Sequence, residues 1–168
     1  MQFFNKRIIL VERFENGKLH CIDNPALELK DCGRLWYQNG KLHRVVGPAI
    51  DREQEKAWYI NGKKHRDNGP AHEISTCYEW WINGKLHRTD GPAEDTICTK
   101  EWYLYGKSHR TDGPALMNDF GDEYYQYNEL HREDGPAIKD SRRADEYWLC
   151  GVQYTYEEYL KLLKLDKL

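Results

Sequence analysis

Six histidines recur at near-constant spacing, His20, His43, His65, His87, His109 and His131, separated by 23 and then four times by 22 residues. Most have Asp or Asn three residues on, as at Asn68, Asp90, Asp112 and Asp134. A His–Asp pair can poise a general base, and clustered histidines can ligate zinc. Both chemistries conflict with the repetition. An enzyme needs one site that differs from the rest. No Ser or Cys nucleophile sits at a fixed offset, and no phosphate-cradling Gly loop leads into a helix. Neighbouring repeat histidines should lie about 10 Å apart, at two strands per repeat, whereas two zinc ligands must each approach the ion to about 2 Å. His65 and His72, the one pair close in sequence, are separated by the Gly69-Pro70 turn. The expectation is therefore a non-enzyme with no catalytic residue, no metal and no cofactor. His43, His65, His87, His109 and His131 are assigned structural roles, satisfying local backbone groups.

The histidines belong to a longer repeat, which must position them. In register the copies are Phe14 to Ala26, Trp36 to Ala49, Trp58 to Ala71, Trp80 to Ala93, Trp102 to Ala115 and Tyr124 to Ala137, with a truncated seventh from Tyr147. Each is close to W-Y-x-N-G-K-L-H-R-x-D-G-P-A, and the six prolines keep one phase. A fixed period of this length marks a repeat architecture. Asn-Gly at 39-40, 61-62 and 83-84 is the strongest short hairpin signal, because both centres of a type I′ turn need positive φ. Later copies carry Tyr105-Gly106, Tyr127-Asn128 and Cys150-Gly151 there.

Counting outward from a two-residue loop pairs Ile82 with Lys85, Trp81 with Leu86, Trp80 with His87 and Glu79 with Arg88. The same count sets Glu101 opposite Arg110 and Glu123 opposite Arg132. Alternation then places a ladder of Tyr37, Tyr59, Trp81, Tyr103 and Tyr125 on one face and Trp36, Trp58, Trp80 and Trp102 on the other, the Trp ladder being the expected covered side because Trp offers more area to bury. Gly-Pro ends each strand, and the stretch after it can turn back as an edge or return segment. The fold class expected is an all-β repeat protein, an elongated twisted antiparallel sheet of stacked β-hairpins in a single layer with a C-terminal capping helix. The domains expected are an N-terminal strand or cap over 1–13, an array of six hairpin repeats plus a truncated seventh over 14–153, and a helix over 154–168. Thr155 and Glu158 form a capping box ahead of Tyr156, Tyr159, Leu160 and Leu163 at helical spacing. A second apolar set, Leu162, Leu165 and Leu168, offers a route to homo-oligomers.

The motif resembles the MORN-type repeats, which are aromatic- and glycine-rich hairpins in an elongated sheet. It is closer still to W-Y-x-N-G-K-x-H-R-x-D-G-P-A arrays of bacteriophage and giant-virus proteins. His-Arg and Gly-Pro-Ala stand where MORN repeats usually carry a second glycine pattern. The MORN resemblance implies a protein-binding or lipid-associated scaffold. The viral one implies a host-directed inhibitor or adaptor acting on a host protein or defence system, in the host cytoplasm.

Composition agrees with a binding role. The chain has 168 residues, 32% charged and 13% aromatic, with formal net charge −3 and mean hydropathy −0.93. No basic stripe points to general nucleic-acid binding, and no apolar run suffices for membrane insertion. Five cysteines without common phase or C-x-x-C spacing read as free thiols in the cytoplasm. A protein partner is the expectation, met by Tyr59, Trp81, Tyr103 and Tyr125 with Arg88 and Arg110 beside them, since Tyr, Trp and Arg dominate binding hot spots. The alternatives from other classes are a small-ligand or nucleotide-sequestering protein and a structural virion component.

Overall fold

The computed structural model describes residues 9–30 and 33–165. The chain is mostly β, built of antiparallel hairpins, with one helix, Tyr156–Leu165, and no closed barrel among the described residues. It divides between Lys85 and Leu86 into two compact units.

Each repeat feeds two ladders. In the first unit the larger ladder runs in chain order through Ile9–Glu12, Leu27–Leu29, Gly33–Leu35, Ile50–Asp51, Glu55–Ala57, His72–Ile74 and Cys77–Glu79. In the second it runs through Glu94–Thr96, Thr99–Glu101, Leu116–Asn118, Gly121–Glu123 and Ile138–Asp140. These are the segments after Pro-Ala, expected as edge or return pieces. They are the main sheet instead, because the eight or nine residues between the alanine and the next Trp or Tyr suffice for a hairpin of their own. His72 thus faces Glu79, and Ile74 faces Cys77.

The Asn-Gly hairpins form separate two-stranded ribbons. Tyr59 faces Lys64 and Ile60 faces Lys63, the register that counting from the turn gives. Both turn residues take positive φ, 51° at Asn61 and 80° at Gly62. Backbone bonds tie ribbon to ribbon, with Gly62 N–H donating to the Leu42 carbonyl at 2.8 Å and Arg66 N–H to that of Trp81 at 3.1 Å. The ribbon stops one pair short of the expected Glu–Arg contacts. Glu101 lies in the main sheet opposite Glu94 and Leu116, and Glu123 opposite Leu116 and Ile138. Arg110 and Arg132 instead donate their N–H groups to the carbonyls of Tyr125 and Trp148.

The crossing between ladders is made at the repeat alanine. Ala26, Ala49, Ala71, Ala93, Ala115 and Ala137 are all at 0% exposure. The Ala71 carbonyl accepts Trp58 N–H at 2.8 Å, and its own N–H donates to the Glu79 carbonyl at 2.7 Å. Ala115 does the same with Trp102 and Glu123, at 2.8 and 2.9 Å. One residue therefore starts the ribbon and registers the sheet, with no room beside it for a longer side chain.

In the first unit the core is Leu29, Leu35, Ile50 and Ala57, with Leu27, Tyr37, Leu42 and Tyr59 packed against it. Tyr37 and Tyr59 come from ribbons and the leucines and isoleucine from the sheet, so the tyrosine face of a ribbon turns inward. At the C-terminus the capping box forms as expected: Thr155 N–H donates to Glu158 at 2.9 Å, and Glu158 N–H returns to the Thr155 hydroxyl at 3.3 Å. Ile9–Glu12 supplies an opening strand against Leu27–Leu29. Expectations on residues 1–8, Cys32 and Leu168 fall outside the described residues, and the side chain of Leu165 is likewise not described.

Replacing Ala71 by Leu should destabilise the chain by about 1–3 kcal/mol or more, as overpacking a filled site does. Urea unfolding reads this as a lowered midpoint at unchanged slope. Ala71→Ser, nearly isosteric, should cost distinctly less.

Candidate functional site

Each repeat arginine is held by several contacts. Its guanidinium lies over the aromatic ring that opens its own repeat: Arg44 is 3.7 Å from the Trp36 ring centre, Arg66 3.7 Å from Trp58, Arg110 4.1 Å from Trp102 and Arg132 3.9 Å from Tyr124. Its Nη1 donates to the proline carbonyl four residues on, at 3.0 Å for Pro48, 2.8 Å for Pro70, 3.3 Å for Pro92 and 3.2 Å for both Pro114 and Pro136. The first repeat has Cys21 in the arginine position, and there Arg13 reaches the Pro25 carbonyl. In the second unit Nε also bonds the aspartate two residues on, Asp90, Asp112 or Asp134, at 2.8, 2.8 and 2.6 Å. These guanidinium contacts hold all three carboxyls below the usual aspartate range.

Two clefts open between successive R-x-D-G loops of the second unit, of about 540 and 520 Å³. The first lies between the loops at Arg88–Gly91 and Arg110–Asp112, over Trp102, Leu104 and His109. The second lies between Arg110–Gly113 and Arg132–Asp134, over Tyr124, Gln126 and His131. They are one repeat apart and built from the same positions. Arg110, Thr111 and Asp112 wall both. Such volumes suit a side chain or a small polar ligand.

Comparison with protein families, with curated proteins and with solved structures gives no match.

The residues expected to bind divide into two groups. Arg88 and Arg110 line the clefts. Tyr59, Trp81, Tyr103 and Tyr125 are half-buried and spend their polar atoms on glutamates or core packing, rather than forming an open platform. Trp81 Nε1 donates to Glu79 at 2.7 Å, Tyr103 Oη to Glu101 at 2.6 Å, Tyr125 Oη to Glu123 at 2.8 Å and Trp148 Nε1 to Glu146 at 3.0 Å. Burial, then the adjacent glutamate, pushes the Tyr103 phenol up, and the same causes push Tyr125 up to about 12. The signal was legible as a glutamate two residues before each aromatic donor. Pairing those glutamates with arginines concealed it. Trp102, expected to be covered, has a guanidinium on one side and yet floors a cleft.

The histidines link repeats. The Nδ1 of His43 accepts the N–H of Asn61 at 3.1 Å, His65 that of Asn83 at 3.2 Å, His87 that of Tyr105 at 3.2 Å and His131 that of Cys150 at 3.1 Å. An accepting Nδ1 leaves the proton on Nε2. The His87 ring also stacks on Tyr105 at 4.0 Å, and His109 on Tyr127 at 4.1 Å. Those stacked tyrosines hold φ of 51° and 53°, a region that favours glycine or asparagine. His109 Nδ1 is buried without a hydrogen-bond partner among the described residues. Asp90, Asp112 and Asp134, three residues after their histidines, are bonded to arginine, while Asp67 lies 3.3 Å from the Nε2 of His65. Among the described residues no group of three or more His, Cys, Asp and Glu side chains is arranged to hold a metal ion.

Glu79 is a strongly held, half-buried carboxylate. His72 lies 3.3 Å from its Oε2, off the hydrogen-bond direction, while Lys64 at 2.6 Å and Trp81 donate to it directly. The His72 ring, then Lys64 and Trp81, hold it down at about 2 against the opposing effect of burial.

Two outcomes follow. His87→Ala should cost about 1–2 kcal/mol through the lost acceptor and stacked ring, read by thermal unfolding. The depressed Glu79 group supplies stability that is complete above its unfolded value of about 4.5 and is lost as pH falls toward 2. Glu79→Gln should therefore lower stability by roughly 1.5 kcal/mol at neutral pH and flatten the acid limb between those values. An unchanged limb would refute the assignment.

Proposed function

We propose that this chain is a non-enzymatic protein-interaction module that takes a partner segment along the clefts of its second unit. The observation that carries the reading is the duplication: two clefts with the same loop, the same ring position and the same histidine position, one repeat apart. Serial copies of one recognition site suit an extended or helical polypeptide, which presents its side chains at regular intervals. They do not suit turnover, which needs a distinct centre. Arginine stacked on an aromatic ring is already ordered, so binding costs little further side-chain entropy.

The resemblance to bacteriophage and giant-virus arrays supports a viral inhibitor or adaptor directed at a host protein or defence system. Among the described residues no helix is long and apolar enough to cross a membrane. A second reading is a small-ligand-sequestering protein, favoured by cleft volumes within the range of ligand sites.

Linear-peptide display against the intact chain, followed by Thr111→Trp, tests the proposal. Thr111 is exposed and walls both clefts, so the indole obstructs each while stability changes by no more than about 0.5 kcal/mol. Selected peptides should lose at least tenfold in affinity, about 1.4 kcal/mol. Peptides that bind the variant as well as the parent would place the contact elsewhere.

A further inference from the structure

The row of clefts has a third member, and the chain fills it. The loop Arg132–Gly135 repeats those at Arg88–Gly91 and Arg110–Gly113. All three share the Nε bond to aspartate and the Nη1 bond to proline. In all three the glycine is backed closely by its own arginine guanidinium. Where the open clefts have Trp102 or Tyr124 as their ring, the third has Tyr147. After Tyr154, however, the chain enters the helix instead of a further H-R-x-D-G loop, and Tyr159 of that helix occupies the position.

Tyr159 is 2% exposed, and its ring centre lies 5.0 Å from that of Tyr147. Its hydroxyl donates to the Arg132 carbonyl at 3.0 Å and accepts the Gly135 N–H at 3.0 Å. Burial pushes this phenol up, which keeps the donating proton in place. One hydroxyl thus bridges two backbone groups three residues apart. Among the described residues, neither this turn nor Arg110–Gly113 closes a backbone bond between its arginine carbonyl and its glycine amide.

We propose that the cleft at Arg110–Gly113 is a tyrosine-acceptor site, taking a partner's tyrosine so that its hydroxyl bridges the Arg110 carbonyl and the Gly113 amide as Tyr159 bridges Arg132 and Gly135. The inference rests on the clefts being the interaction surface. Its selectivity follows from the bridge. Phenylalanine has neither donor nor acceptor, and tryptophan can donate but not accept. Phosphotyrosine brings about two negative charges to a rim of exposed Asp112, Glu133 and Asp134, so phosphorylation abolishes docking. The same acidic rim favours Lys or Arg beside the partner's tyrosine. The second unit carries seventeen acidic and eleven basic residues over 86–168, a net −6 with His neutral.

Backbone amide NMR of the full chain, titrated with N-acetyl-tyrosinamide and then N-acetyl-phenylalaninamide, tests this. The tyrosine probe should shift the Gly113 amide saturably, leave Gly135 still because Tyr159 holds it, and bind at least tenfold more tightly than the phenylalanine probe. Equal responses to the two probes, or an unmoved Gly113 amide, overturn the inference. Display-selected peptides that lose binding on Thr111→Trp yet contain no tyrosine also overturn it, and leave the interaction reading standing. Peptides indifferent to Thr111→Trp overturn that reading itself.

Discussion

Everything in a repeat depends on the alanine where the chain crosses from ribbon to sheet. Two backbone bonds fix it, one to the Trp or Tyr that opens the ribbon and one to the residue that closes the sheet hairpin, Glu in most repeats. A fully buried backbone must satisfy both its polar groups, and here each bond also sets a register. The preceding proline follows from the same constraint. It has no N–H to satisfy, and its carbonyl is taken by the arginine guanidinium. With the crossing fixed, the arginine, its ring and the R-x-D-G loop have little freedom left, and the clefts are the spaces between successive loops.

The space beneath the ribbons is filled in two ways. In the first unit, aliphatic side chains from the sheet meet ribbon tyrosines. In the second, sheet glutamates receive hydrogen bonds from ribbon aromatics at Glu101–Tyr103, Glu123–Tyr125 and Glu146–Trp148. A half-buried carboxylate is costly unless it is bonded, so each aromatic there serves as filler and donor together. This explains how so hydrophilic a chain folds. Charged side chains lie over rings or between layers, where their stems and planar groups bury area while their polar atoms stay paired.

Much of this was legible in the sequence, and the misreadings have physical causes. The Asn-Gly turn, the ribbon register and the capping box all arise from local backbone geometry, which residue types report directly, whereas the histidine bonds reach a turn amide in the next repeat. The larger ladder was less visible because its strands span only two to four residues, with sequences such as His72-Glu73-Ile74 that have no strong alternation. The Glu–Arg pairing failed because the count was carried past Trp–His, where the chain leaves the ribbon for the alanine crossing. Ring size points to Trp as the covered ladder and Tyr as the exposed one; Trp36 is indeed buried, but Trp58, Trp80 and Trp102 are half-buried like the ribbon tyrosines. The clefts themselves have no sequence signature, since they arise from the spacing of neighbouring loops.

The links from one repeat to the next, histidine to turn amide and ribbon to ribbon, reach only to the adjacent copy. Repeat proteins of this kind are stabilised by nearest-neighbour terms, so a copy can be gained or lost without re-optimising distant ones. Near-identical coding stretches are also prone to unequal recombination. Copy number is therefore a heritable dial. An in-frame duplication ahead of Arg132 would add one cleft and leave the seat of Tyr159 unaltered, so a lineage could lengthen its docking row in a single genetic event and match a longer target without changing any contact chemistry.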